Sequence, residues 1–356
     1  MIAVVIGRRR SFQSPGLSEF QTSIVISQQF TKMNVHRDLD RLPAFNRAVI
    51  TIGTFDGVHT GHQKIIQQLI REAEEIGGET VIITFHPHPR KIVGSQRVKL
   101  INTLDEKIAL LAEKGIDHLV VIPFTEAFSQ QSAPEYVKDF LVRKFHPHTI
   151  IIGYDHRFGK DRTGDYQLLE RLSPTENYVL REIPVHVLNE ILVSSTRIRQ
   201  AIESGEMDIA NQLLGYEFFF EGRVVTGNKM GRTIGFPTAN LEVLDPEKLL
   251  PANGVYAVKA NLSENDYPDQ KFVIASGSSP DLSGMMNIGF RPTIGGTSRT
   301  IEVNLFKFNK DIYGKDLVIF VSRYLRGEQK FSGLEALREQ LKKDQQAAGY
   351  REPDHQ

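Results

Sequence analysis

The pattern of apolar residues changes character once, near Gly215, and that change constrains the fold more than any other feature. Before it, short apolar runs alternate with segments of helical period. After it, apolar runs follow one another with only glycine- and proline-containing turns between most of them. In the first part, residues 48–52, 80–85, 118–122 and 149–152 read as strands, and 59–76, 102–114 and 134–144 as helices. The first helix carries Ile65, Ile66, Leu69, Ile70 and Ala73 on one face and stops at Gly77-Gly78. Strands too apolar to alternate, separated by helices, predict a parallel sheet covered on both faces. In the second part, residues 218–225, 254–260, 271–276, 285–288, 300–308 and 316–324 read as strands, which close most simply as a small β-barrel. One amphipathic helix follows at 334–343, with Leu334, Leu337 and Leu341 expected inward. The expected division is an extension over 1–32, an α/β domain over 33–215, a β domain over 216–345 and a solvated tail over 346–356.

Composition narrows what such a chain does. At 356 residues and 40% hydrophobic, it can bury roughly two cores of ~150 residues each. The 43 Lys and Arg balance the 43 Asp and Glu, which gives no support for nucleic-acid binding. The absence of cysteine excludes disulfides, thiolate metal sites and cysteine nucleophiles together. No apolar run reaches the ~18 residues of a membrane span. At the N-terminus, the apolar stretch 1–7 precedes Arg8, Arg9 and Arg10, the reverse of a secretory signal. The segment reads as an extension, an over-called start upstream of Met33, or a transit peptide; the expected location is cytoplasmic.

The segment Gly53-Thr54-Phe55-Asp56-Gly57-Val58-His59-Thr60-Gly61-His62 lies between the first strand and its helix. Glycines let backbone approach a phosphate, and a helix N-terminus offers free N–H groups to it. His59 and His62, three apart, can both reach nucleotide phosphates there and stabilise a phosphorus under attack. The pair alone also fits metal ligands, though no cysteine or third ligand accompanies it, or a surface pair. The glycine spacing is not that of a dehydrogenase, and Gly153 to Gly159-Lys160 is not a P-loop. Two more segments have phosphate-site character: residues 153–159 after a strand, and Ser194-Ser195-Thr196-Arg197-Ile198-Arg199 before a helix. The first reads as a turn or a site, the second as a cap or a site. In the β region, Gly227-Asn228-Lys229-Met230-Gly231 precedes Gly235-Phe236-Pro237-Thr238-Ala239-Asn240. Thr238 and Asn240, two apart on an extended segment, offer hard oxygens to magnesium, or serve as ordinary turn residues.

His59-Thr60-Gly61-His62 resembles the signature of the nucleotidyltransferase superfamily. With Phe85-His86-Pro87-His88-Pro89-Arg90, residues 153–165 and residues 194–199, it resembles the adenylyltransferase module of bacterial FAD synthetases. Gly-Phe-Pro-Thr-Ala-Asn, followed by Gly254-Val255-Tyr256, Asn287-Ile288-Gly289, Pro292-Thr293, Glu302 and Leu325-Arg326-Gly327-Glu328, resembles riboflavin kinase. Together they cover about residues 33–344 and identify the chain as a member of the bifunctional riboflavin kinase/FMN adenylyltransferase family.

The resemblance implies an α/β nucleotidyltransferase (Rossmann-like) domain, then a six-stranded antiparallel β-barrel with a C-terminal helix. It implies phosphorylation of riboflavin to FMN and adenylylation of FMN to FAD, with ATP as co-substrate and Mg2+ as cofactor. Implied ligands are riboflavin, FMN, FAD, ATP and ADP. It assigns Glu302, His59 and His62 as catalytic. Gly53, Phe55, Asp56, Gly61, Asp155, Arg157, Ser195, Thr196, Arg197 and Arg199 would bind ATP for adenylyl transfer. Gly227, Lys229, Gly231 and Asn287 would bind ATP in the kinase, Arg323, Leu325 and Arg326 the flavin, and Thr238 and Asn240 the metal. Three positions depart from the family: His156 replaces an aromatic, Asn304 a histidine two after the base, and Lys307 an aspartate. The last two are expected on the base's own strand.

Overall fold

A computed structural model describes residues 33–94, 98–153, 156–183, 193–227, 230–262, 282–293 and 296–350. Six parallel strands form the first sheet: β1 (Asn34–His36), β2 (Val49–Ile52), β3 (Thr80–His86), β4 (His118–Pro123), β5 (Thr149–Gly153) and β6 (Val179–Ile183). Their order is β1-β4-β3-β2-β5-β6. β2 is buried along its whole length, Thr51 included, as its mostly β-branched apolar sequence allows. Ile50, Ile83 and Ile150 pack with Val137 and Phe140 on one face, while Val49, Ile82 and Ile151 pack with Ile66 and Leu69 on the other. The strand order reverses between β2 and β5, so their carboxyl ends frame the crevice where such sheets bind ligands.

The second half closes into an antiparallel barrel of β7 (Phe218–Val225), β8 (Ala239–Val243), β9 (Gly254–Leu262), β10 (Leu282–Thr293), β11 (Gly296–Leu305) and β12 (Asp316–Arg326). Alternate residues such as Phe218, Phe220, Met286, Ile288, Ile301 and Val303 fill its interior. Ile198, Ile202 and Leu214, from the helices Ser195–Ser204 and Met207–Leu214, join that same core. Barrel and helical pair are thus packed as one body.

Several local expectations change. β1 and β6, short edge strands, and β8, which starts at the end of the Gly-Phe-Pro-Thr-Ala-Asn segment and runs on to Val243, have no counterpart among the expected strands. The expected strand at 271–276 lies outside the described residues. A single helical turn, Met230–Thr233, interrupts the β region. The last helix, Leu334–Ala347, leaves Leu334 58% exposed, because the contact with the barrel begins a turn later. Leu341 and Ala348 pack against Phe236, Met285 and Phe306, and Tyr350 meets the Phe306 ring at 5.3 Å. The chain is therefore docked as far as Tyr350, where a solvated tail was expected. Lys307 has φ +52 just past the end of β11, so it leaves the base's strand instead of continuing it.

Candidate active sites

The first site grows out of the loop after β2. The Gly53 N–H bonds to the Ile83 carbonyl at 3.0 Å, and the chain then turns through positive φ at Phe55, Gly57 and Val58. Positive φ at a buried Val is costly and persists only where the surroundings fix it. Asp56 supplies the fixation. Its buried carboxylate accepts the Ile101 and Asn102 N–H groups at 3.1 and 3.3 Å and the Arg199 guanidinium. Arg199 also donates from Nε to the Lys99 carbonyl at 2.9 Å. The Ser195 hydroxyl donates to the Asp56 carbonyl at 2.9 Å, and Tyr216 to the Gly57 carbonyl at 2.6 Å.

His59 caps the helix Thr60–Ile76, its Nδ1 accepting the His62 N–H at 3.3 Å. The two imidazoles stack 3.6 Å apart, and Phe55 lies 5.0 Å from the His62 ring. A Cβ on Gly61 would lie 3.2 Å from the His59 ring, so the turn keeps glycine there. Burial pushes the His59 pKa down to about 4 against the pull of Asp56. Burial, then His59 and Lys107, push His62 well down. Both rings are neutral at pH 7, so they can offer hydrogen bonds but no fixed charge. His88, on the loop after β3, is likewise lowered to about 4, chiefly by burial.

Ser194 caps the helix Ser195–Ser204 by accepting the Arg197 N–H at 3.2 Å, leaving Thr196 and Arg197 exposed on its first turn. Arg157 pairs with Asp165 at 2.9 Å. Asp155 lies outside the described residues.

The second site is on the outer wall of the barrel. Glu302 on β11 registers with Asn240 on β8 and with Asn287 on β10, so one carboxylate lies between two amides across three strands. Neighbours Ile301 and Val303 point into the core, which sends Glu302 outward. A Cβ on Gly227 would overlap the Asn240 amide, so the glycine loop lies directly against that residue. Gly231 closes the loop by accepting the Phe236 N–H at 2.8 Å, and Thr238 lies beside it. Asn304 is buried and donates from Nδ2 to the Pro237 carbonyl at 2.7 Å. This fixes the segment carrying Thr238 and Asn240 to the strand carrying Glu302. A cavity of about 380 Å³ opens beside Thr238, bordered by Val303, Arg232, Phe308, Ile312 and Tyr313. Lys229 lies outside the described residues.

A family model for FAD synthetase matches residues 42–197, and one for riboflavin kinase matches 214–350. The bifunctional riboflavin kinase/FMN adenylyltransferase of Escherichia coli K12 is 33% identical over 84% of this chain and 91% of its own. This chain belongs to the bifunctional riboflavin kinase/FMN adenylyltransferase family. The Buchnera aphidicola (Schizaphis graminum) member is 36% identical over 88% of this chain and 96% of its own, and the Bacillus subtilis 168 member 35% over 85% and 92%. A crystal structure described as a macrolide-efflux protein from Streptococcus pneumoniae shares the fold, with TM-score 0.77 and 28% identity over 90% of this chain and 100% of that one. Among the described residues, no helix is long and apolar enough to cross a membrane.

Arg199 and Asp56, both expected on ATP, are paired with each other inside the protein. The Arg326 guanidinium holds Asp344 of the C-terminal helix at 2.6 Å, and Arg323 donates to the Ala347 carbonyl. Both residues, expected on the flavin, thus also contact the C-terminal helix, with half-buried Leu325 between them. Lys107 and His88 border the histidine site, and neither was singled out from sequence. His88 belongs to the Phe85–Arg90 segment, whereas Lys107 reads as an ordinary solvated helix residue.

Proposed function

We propose that this chain makes FMN at the barrel and FAD at the sheet, using ATP in both steps. The observation that supports it most is the row Asn240–Glu302–Asn287 on a barrel, separate from the stacked His59 and His62 at the sheet's crevice. In the first step the Glu302 carboxylate accepts the riboflavin 5′-hydroxyl proton as that oxygen attacks the γ-phosphorus, and ADP leaves. Thr238 and Asn240 would hold Mg2+: they offer hard oxygens, and the Gly227 loop packs directly against Asn240. Bound there, the ion would neutralise phosphate charge. Gly227, Gly231 and Asn287 border the phosphates.

In the second step an FMN phosphate oxygen attacks the α-phosphorus of ATP, and pyrophosphate leaves. Neutral His59 and His62 donate hydrogen bonds to the phosphate oxygens as charge builds on them. Thr196, Arg197 and the free N–H groups of their helix face the polyphosphate. Residues 33–215 and 216–345 carry the two steps. Purified protein given riboflavin, ATP and magnesium should yield FMN and then FAD, separated chromatographically. His62→Ala should stop at FMN, while Glu302→Gln should fail to make FMN yet still convert added FMN to FAD. Loss of both FMN formation from riboflavin and FAD formation from added FMN in one folded variant would refute the two-site assignment.

A further inference from the structure

We propose that Lys107 binds the pyrophosphate portion of the nucleotide in the adenylyl-transfer site, an inference that rests on the adenylyltransferase reading above. Lys107 lies in the helix Leu104–Ala112 and is only 6% exposed. A lysine on a helix ordinarily extends its ammonium to water. This one turns inward. Its Nζ donates to the Thr54 carbonyl at 2.7 Å and reaches the Thr84 hydroxyl at 3.4 Å, and Thr54 belongs to the loop that ends at His59.

The charges around it do not cancel. Asp56 is the acid that acts on Lys107, but its carboxylate is already engaged by Arg199 and by two backbone N–H groups. Asp56 and Arg199 neutralise each other. His62, His86 and His88 also feel Lys107, and all three have lowered pKa values that leave them neutral at pH 7. Among the described residues, no carboxylate oxygen pairs with the Lys107 ammonium. The loop therefore holds one buried positive charge in excess, beside a helix N-terminus that is itself attractive to anions. An uncompensated buried cation is costly to keep. An anionic ligand removes that cost. Arg199, expected to meet the triphosphate, is held inside by Asp56, and Lys107 supplies a buried cation in addition to exposed Arg197.

Burial lowers the Lys107 pKa to about 8, so an arriving polyanion should raise it and draw a proton from solvent. Inorganic pyrophosphate, the product of the adenylyl step, is the probe, titrated calorimetrically onto the full chain at about pH 8.5 in buffers of different ionisation enthalpy. Lys107→Gln keeps a donor for the Thr54 carbonyl but loses the charge. Its affinity should fall about tenfold or more, and it should take up fewer protons than wild type on binding. Lys107→Arg keeps the charge without titrating in this range, so it should retain most of the affinity and lose the extra proton uptake. The pair of variants decides even if the glutamine variant folds poorly. FMN formation, measured on the same preparations, should be unchanged. Equal affinity and equal proton uptake in wild type and Lys107→Gln would reduce Lys107 to a tie for the Thr54 carbonyl. Wild type that binds no pyrophosphate would instead overturn the adenylyltransferase reading, and this inference with it.

Discussion

Acid should destabilise this protein through two particular imidazoles. His59 and His88 are 6% and 8% exposed, and both are lowered from 6.5 to about 4, chiefly by burial. Between those values the unfolded chain binds a proton that the folded chain refuses, so stability falls as pH falls from about 6.5 towards 4. At about pH 5 the unfolded histidine is almost fully protonated and the folded one mostly not. The 1.5-unit gap to the unfolded pKa, at ~1.4 kcal/mol per unit, gives a loss of about 2 kcal/mol for each residue. Below pH 4 each loss levels off at about 3 kcal/mol. Urea unfolding of wild type, His59→Gln and His88→Gln at about pH 7.5 and 5 measures it. Carboxylate titrations are common to all three proteins and cancel in the difference. Each variant should lose about 2 kcal/mol less than wild type over that interval. Equal losses would refute the reasoning, since they would mean that neither ring is held neutral by the fold.

The remaining expectations concern the chemistry. His59→Ala and His62→Ala should each lower FAD formation by ~100-fold or more while FMN formation stays near wild type, read in separate assays for the two products. Thr238→Ala and Asn240→Ala should lower FMN formation and raise the magnesium concentration it needs; an unchanged magnesium titration would return both residues to a turn-only role. Asn304→Ala strands the Pro237 carbonyl at a cost of about 1–3 kcal/mol, visible in thermal unfolding, whereas Asn304→His keeps a donor and should change the kinase rate by less than about tenfold.

The two folds were legible in the sequence because burial on both faces and burial on one face write different periods. What escaped was decided by tertiary contact. β6 reads Val-Leu-Arg-Glu-Ile, and only its last residue is fully buried, as an edge position permits. β8 hides behind Gly235 and Pro237, turn residues that mask the strand they introduce. Leu334 belongs to the helical stripe, yet the barrel begins too late along the helix to cover it. The histidine and Gly-Phe-Pro-Thr-Ala-Asn motifs were legible because their spacing is local. The partners of Arg199 and Arg326 were not legible. Asp56 lies 143 residues from the first, and no pattern in the chain reports that pairing. Lys107 was hidden for the same reason: its direction depends on a loop from another part of the sheet.

The two halves meet through a buried polar seam, and the histidine loop leans on it. Glu106 and Lys107 are consecutive, and they address different partners. Glu106 completes the capping box with Thr103 and pairs at 2.5 Å with Lys248, which lies between β8 and β9 of the barrel. Burial pushes the carboxyl up and the ammonium down, and each holds the other's charge in place. Lys248 also donates to the Ile101 carbonyl at 2.6 Å, while the Ile101 N–H binds Asp56. Asp56 in turn holds Arg199 at the start of the helix that carries Thr196 and Arg197. A buried pair of this kind adds little net stability, but loss of one partner costs about 3–5 kcal/mol because the other charge is stranded. Such a pair acts on geometry more than on stability. Residue 248 is foreign to the sheet, yet through Ile101 and Asp56 it helps set the turn that presents His59 and His62. The pattern change near Gly215 therefore divides two folds, while the framework that positions the His59–His62 loop extends across it.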